Sequence, residues 1–302
     1  MIAIRTPGPA DAERIAALMN ALAESLGGEQ VATAAEIAHW LRLTDVEFRV
    51  AEAAHGELVA YADVIERAER TRYWLDLREH PDRRQLGGAR ALLTAVEERA
   101  QERAAENALL RGTFSSADGA LRELYEEAGF HLGRHHLEMG IELGGDLARP
   151  VWPQGISVRT FDAKDAERVH VAHMESFEDH WEHVHEPLTR WSQEHLVRED
   201  FDPSLWFLAQ EAGEIAGLCL CRRHASGDPS IGYVEVLGVR RPWRKRGLGL
   251  GLLRHAFRVF RDRGMTRAAL DVDAGSLTGA VQLYERAGMH IARRSETYEK
   301  PL

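Results

Sequence analysis

The residues best suited to chemistry lie together between Val234 and Gly251. An apolar strand, GYVEVLGV (232–239), carries one carboxylate, Glu235, and leads into Arg244-Lys245-Arg246-Gly247-Leu248-Gly249, where a helix begins. Glycines let a backbone approach a ligand closely. The N–H groups that open a helix are unpaired and lie at the positive end of its dipole, so the turn suits an anion, above all a pyrophosphate. Residues 240–263 hold nine Lys or Arg against one acid, Asp262. In an acidic chain that reversal points to a phosphate-bearing ligand. A dinucleotide turn competes: Asp271 lies twenty residues beyond Gly251, but the glycines run G-x-G-x-G, not G-x-G-x-x-G. No G-K-[ST] follows, which excludes a Walker loop. Close helix–strand packing beneath a solvated basic face is the remaining alternative. By period two, Glu235 shares a face with Leu237 and Val239. A carboxylate enclosed there has a raised pKa and suits a general base; a glutamate facing water is the other reading.

A domain must position these residues, and the sequence writes that domain twice. LYEEAGFHLGRHH (124–136) recurs as LYERAGMHIARRS (283–295), 159 residues on, and Gly87 in HPDRRQLGGARALL (80–93) recurs as Gly247 in RPWRKRGLGLGLL (241–253), 160 residues on. The run GGDLARPVWPQG (144–155) is rich in Gly and Pro and reads as the joint. The expected plan is an N-terminal domain over 1–145, a linker over 146–155 and a C-terminal domain over 156–302. In the second half, strands are expected at 156–161, 205–211, 215–223, 232–239, 267–273 and 290–300. Helices are expected from Asp162 to Phe177, from Gly247 to Arg263 and from Thr278 to Ala287. Hairpins with late helices describe an α/β (α+β) class, two tandem domains each with a mixed, mostly antiparallel sheet flanked by helices.

Composition agrees with a globular chain: 302 residues, 44% hydrophobic and 28% charged. A net charge of -10 disfavours nucleic acid and anionic lipid as partners. No apolar run approaches the ~18 residues of a membrane span, and MIAIRTPGPADAER lacks the basic and apolar regions of a signal peptide. The two cysteines, Cys219 and Cys221, share one strand face, where a disulfide is not expected. These features fit a cytoplasmic location. Oligomeric state is not legible.

Arg244-x-x-Gly247-x-Gly249, after a strand ending in Val239, resembles the acyl-CoA-binding motif of the GNAT superfamily of N-acetyltransferases. GAVQLYERAGM (279–289) is similar to that family's late helix, with its tyrosine at Tyr284. The resemblance covers most of 155–300 and repeats in the first half. It implies acetyl-CoA as cosubstrate, no metal, and direct acetyl transfer to a primary amine of a small molecule or peptide. It implies Glu235 as base and Tyr284 as the acid that protonates the coenzyme sulfur, although Tyr284 also lies on a packing face with Ala280. Amides at Leu237 and Val239 would hold the carbonyl and pantetheine. Arg244, Lys245, Arg246, Gly247, Leu248 and Gly249 would hold the diphosphate. A base has work to do: an alkylamine with a pKa near ~10.4 is free base in only about one molecule in a thousand at neutral pH. Ser276 stands where many relatives carry Asn, and a hydroxyl replaces only part of an amide's hydrogen bonding. A catalytically silent acetyl-CoA sensor is the alternative of another class.

The first half departs from the pattern. Arg84-x-x-Gly87-x-Ala89 fits the phosphate turn and Tyr125 matches Tyr284, but TRYWLDL (71–77) offers Tyr73 where the second half has Glu235, and Gln85 and Leu86 replace basic neighbours. The first domain is therefore expected to be degenerate and the second catalytic. His180, His183 and His185 cluster in DHWEHVHE near His170, His173 and His195. Their spacing matches no metal motif, and they are expected to border the acceptor cleft. Glu178, Asp179, Glu182 and Glu186 would form an acidic rim that attracts a cationic amine, unless they are simply a solvated loop.

Overall fold

The structure, a computed structural model, describes residues 2–28, 32–43, 46–180, 185–198, 201–224, 228–275 and 279–302. Contacts divide the chain into two compact units, Met1–His136 with Arg294–Leu302, and Leu137–Arg293. The first holds β1 (Ala3–Arg5), α1 (Ala12–Ser25), α2 (Ala34–Trp40), β2 (Val46–Glu52), β3 (Leu58–Arg67), β4 (Arg72–Glu79), α3 (Gly88–Arg103), β5 (Leu109–Ser115), α4 (Gly119–Glu127) and the start of β6 (His131–Glu142). The second holds the rest of β6, then β7 (Ile156–Thr160), α5 (Ala166–Phe177), α6 (Leu188–His195), β8 (Trp206–Glu211), β9 (Glu214–Arg222), β10 (Ile231–Val239), α7 (Leu248–Asp262), β11 (Arg267–Asp273), α8 (Ala280–Arg286) and the start of β12 (His290–Pro301).

The units are not the linear halves 1–145 and 156–302. Strand order in the first is β1-β2-β3-β4-β5-β12, and in the second β6-β11-β10-β9-β8-β7. The sixth strand of each sheet thus comes from the other half of the sequence. The cause in the first unit is a continuous antiparallel ladder from Ser295↔Ser115 to Pro301↔Leu109. Ion pairs Arg111–Glu299 (2.9 Å), Arg122–Glu296 (2.9 Å) and Lys300–Glu97 (2.9 Å) fasten it. Nor is 146–155 a free linker. Leu147 is buried, Trp152 packs on the second core, and the Trp152 ring and Val151 carbonyl close so tightly on α7 that a Cβ at Gly251 would meet them at 2.8–3.0 Å.

In the second unit, α7 buries Leu252, Leu253, Ala256, Phe257 and Phe260, the stripe its spacing predicts. They lie on β9, β10 and β11, with Gly232 leaving room for Phe260, whose ring a Cβ would meet at 2.5 Å. The opposite face is covered by α5 and α6, around Phe161, Val169, Trp191 and Trp206. Asp162 accepts from the Lys164 amide (3.1 Å) in a capping box, as its type predicts.

The first unit half-buries a polar pair. Asp63 and Asp76 are directly opposed on β3 and β4, with Tyr61 donating to Asp63 (2.8 Å) and Arg78 beside Asp76 (2.6 Å). Burial and the neighbouring Asp76 push Asp63 up to about 7. A carboxyl raised above its unfolded value of ~3.9 binds its proton more tightly when folded. Its stabilising contribution is full below that value and lost as pH rises through about 7. The first unit should therefore melt higher at pH 5 than at pH 8, and D63N should remove most of that difference in thermal scans.

Candidate active site

Strands β10 and β11 run parallel and are registered only from Ile231↔Arg267 to Tyr233↔Ala269. On its other side β10 stays paired with β9 to Val239↔Gly217. Beyond Tyr233 the β11 flank of β10 is therefore open, which leaves strand backbone available to an extended ligand. The β9–β10 ladder shifts between Val234 and Val236, and the extra residue is Glu235. Such a bulge re-aims side chains. Val234 faces the α7 core and Val236 the α5–α6 core, while Leu237 and Val239 pack against the α7 core again. Glu235 consequently does not share the face of Leu237 and Val239, as period two predicts. It points toward α6.

There its carboxylate, 21% exposed, lies 3.8 Å from His195 Nδ1, 3.4 Å from Arg198 and 4.0 Å from Arg222. The expected rise in its pKa is overturned. Burial pushes Glu235 up, but His195, Arg198 and Arg222 together hold it below its ordinary value. The two arginines were not singled out from sequence, because neither stands in a recognisable motif.

Tyr284 approaches from the opposite face. It is 8% exposed within the α7 core, and burial, with Cys219 nearby, pushes its hydroxyl up to about 12. At neutral pH it is a protonated donor. Cys219 is the ladder partner of Leu237, so Tyr284 lies near this part of the β9–β10 ladder from the α7 side, opposite the face toward which Glu235 points.

The glycine turn has the geometry an anion needs. Gly247 takes φ +84 and opens α7 without a side-chain cap. Lys245 is exposed and also left-handed, with φ +61, a strained conformation for a lysine. Leu248 is buried, and only its amide could serve a ligand; Gly249 packs under Leu283 and Val239. Arg244 donates to the carbonyls of Val239 (3.0 Å) and Ser176 (3.1 Å) and to Asp179 (2.6 Å). Arg241 pairs with Asp179 (2.6 Å), and Arg246 with Glu211 (2.7 Å). Much of the basic run is thus carboxylate-paired. The acidic rim is corrected accordingly: Asp179 and Glu178 hold the turn's arginines and Glu186 pairs with Arg190. Ser276, Glu182 and His183 lie outside the described residues.

The same turn in the first unit is filled from within. Glu79 accepts from the Ala89 amide (2.8 Å) at the start of α3, beneath Gly87, whose φ is +73. Arg84 is engaged bidentately by Asp118 (2.7 and 3.0 Å). Counting from the first parallel pairs, Arg72↔Leu109 and Ile231↔Arg267, Tyr73 answers to Gly232 and not to Glu235. The β3–β4 ladder has no shift there, so Glu235 has no counterpart and Glu79 answers to Val239. Tyr125 is 1% exposed, stacked on Phe114 (5.2 Å), and its hydroxyl fills the space a Cβ at Gly112 would need (2.0 Å). Comparing the copies residue by residue, Glu79 against Val239, is the sequence signal that could have found this difference.

The described histidines make separate polar contacts. His170 Nε2 contacts the Glu186 carbonyl (2.6 Å), His173 Nδ1 accepts from the Trp191 indole (3.0 Å), and His195 faces Glu235. Among the described residues no group of three His, Cys, Asp or Glu could hold a metal ion.

A parallel pair that splays at a bulge, above a glycine turn that opens a helix, suits an extended ligand that ends in an anion. The sequence matches the acetyltransferase (GNAT) family over residues 15–130 and 166–289, and the chain belongs to it. It is 34% identical over 239 residues to a mycothiol acetyltransferase of Streptomyces avermitilis, covering 78% of this chain and 74% of that one. It is 31% identical over 292 residues to the mycothiol acetyltransferase of Streptomyces griseus subsp. griseus, covering 92% and 88%. A crystal structure of a GCN5-related N-acetyltransferase from Sphaerobacter thermophilus superposes with a TM-score of 0.87 at 34% identity, covering 99% and 95%. A tandem GNAT protein from the clavulanic acid biosynthesis pathway, with a TM-score of 0.76 at 15% identity and coverage of 100% and 98%, shares the fold. The protein is an N-acetyltransferase that acts on an amine, and acetyltransferases of this family use acetyl-CoA.

Proposed function

We propose that the C-terminal unit alone transfers the acetyl group, with acetyl-CoA lying along the open flank of β10. The α7 amides at Gly247, Leu248 and Gly249, with Arg244, Lys245 and Arg246, take its diphosphate. Leu237 and Val239 offer backbone to the pantetheine arm and thioester. The amine enters from the α5–α6 face, Glu235 removes its proton and the nitrogen attacks the carbonyl carbon directly. Tyr284 protonates the departing thiolate. The observation that carries this reading is the difference between the copies: a bulge with Glu235 and an uncapped turn in one, Glu79 on the turn and no bulge in the other. The N-terminal unit is structural.

The acceptor is a small-molecule amine, and its similarity to mycothiol acetyltransferases supports one of the mycothiol type. A cytoplasmic location suits that supply of substrates. The test is a panel of amines, including mycothiol's des-acetyl form, with acetylated product read by mass spectrometry. Turnover by that amine with kcat/KM at least ~100-fold above simple alkylamines is expected. Equal turnover across the panel would remove the specific acceptor but not the reaction class.

A further inference from the structure

We infer that His195 is the second station of the proton path and takes from Glu235 the proton that Glu235 removes from the amine. The inference rests on Glu235 being the base. His195 ends α6, is 13% exposed, and its Nδ1 is fully buried with no hydrogen-bond partner among the described residues. An unpaired buried ring nitrogen costs free energy and calls for a reason. The acid it faces is Glu235, 3.8 Å away. The ring is held by aromatic contacts with Trp191 (5.2 Å), His173 (5.7 Å) and Trp206 (6.4 Å), so its aim is fixed by packing from α5, α6 and β8.

The charges around Glu235 explain why a second station is needed. Arg198 follows α6, Arg222 ends β9, Tyr233 precedes Glu235 on β10, Cys221 lies on the adjacent β9, and His173 flanks the imidazole from α5. The two guanidiniums favour Glu235 as an anion. A carboxylate so held is a poor resting place for a proton drawn from an ammonium. The imidazole 3.8 Å away offers a ring nitrogen as the next acceptor.

The accounting closes. The ammonium gives one proton to Glu235, which passes it to the lone pair of Nδ1, leaving an imidazolium that releases it to solvent. The free amine attacks the thioester carbon, the C–S bond breaks, and the nitrogen's second proton replaces, by way of the site, the one Tyr284 gives the sulfur. The sum is ammonium plus acetyl thioester giving amide, thiol and one proton.

The test is H195N, which keeps a polar atom near the Nδ1 position but cannot titrate. With acetyl-CoA and the most active amine of the panel, kcat/KM at pH 7 should fall ~10- to 100-fold, the KM for acetyl-CoA should hold within twofold, and the loss should shrink as pH rises and the amine deprotonates unaided. Retention of kcat/KM within twofold, or a loss of equal size at every pH, would overturn the relay. If H195N does not fold, H195Q is read in the same assays with the same pH-dependent loss expected, and retention of kcat/KM within twofold would overturn the inference. Failure of the base reading itself would show separately, as E235Q with wild-type kcat.

Discussion

Glu235→Gln should lower kcat by two to four orders of magnitude, about the range attributed to a positioned general base, with acetyl-CoA affinity unchanged. The side chain is nearly isosteric, and the coenzyme contacts proposed for Leu237, Val239 and the glycine turn lie on the other face of the bulge. Binding and chemistry should therefore separate cleanly: isothermal titration with coenzyme A reads the first and initial rates the second. Because His195, Arg198 and Arg222 hold Glu235 below its ordinary value, the carboxylate itself should remain anionic and competent into mildly acid solution. A deletion of Glu235 that straightens β10 to the register of β4 should be as inactive as the glutamine variant. Wild-type rates from either variant would remove Glu235 from the chemistry.

Glu79→Val should create a second coenzyme site. Val is the residue at the matching position of the other copy, Val239, and the substitution removes the carboxylate that now accepts from the Ala89 amide (2.8 Å). Wild type should bind one coenzyme A per chain and E79V two. The new site should be weaker by at least about tenfold, because Asp118 still holds Arg84 and the first unit lacks the basic neighbours of Gly247. Loss of the capping contact should cost about 1 kcal/mol. Two sites in wild type would contradict a structural N-terminal unit, whereas one site in E79V would show that Glu79 is not what closes it.

The duplication, the strand–turn–helix unit and the packing stripe of α7 were legible because each is written in local spacing. Glu235 was legible as a lone carboxylate in an apolar strand, but its direction was not. A bulge is set by how two strands register, and the alternation of β10 reads straight through it. The partners that reverse its pKa shift come from α6 and β9, and only tertiary structure brings them to β10. The arginines around Gly247 were legible as a basic cluster, but Asp179 and Glu211, which hold them, lie far off in the chain. The exchanged sixth strands were hidden for a related reason: strand partners are set by tertiary register, which the local sequence of neither β6 nor β12 states.

That exchange gives the protein an inheritance its duplicated sequence conceals. Neither copy can be cut out as a cassette, because each borrows its sixth strand from the other. A stop codon before Arg294 would spare every residue proposed for catalysis, yet it would strip β5 of its neighbour and injure the half encoded first. Whatever chemistry either copy carries, the sheet of the second is not complete without a strand encoded in the first.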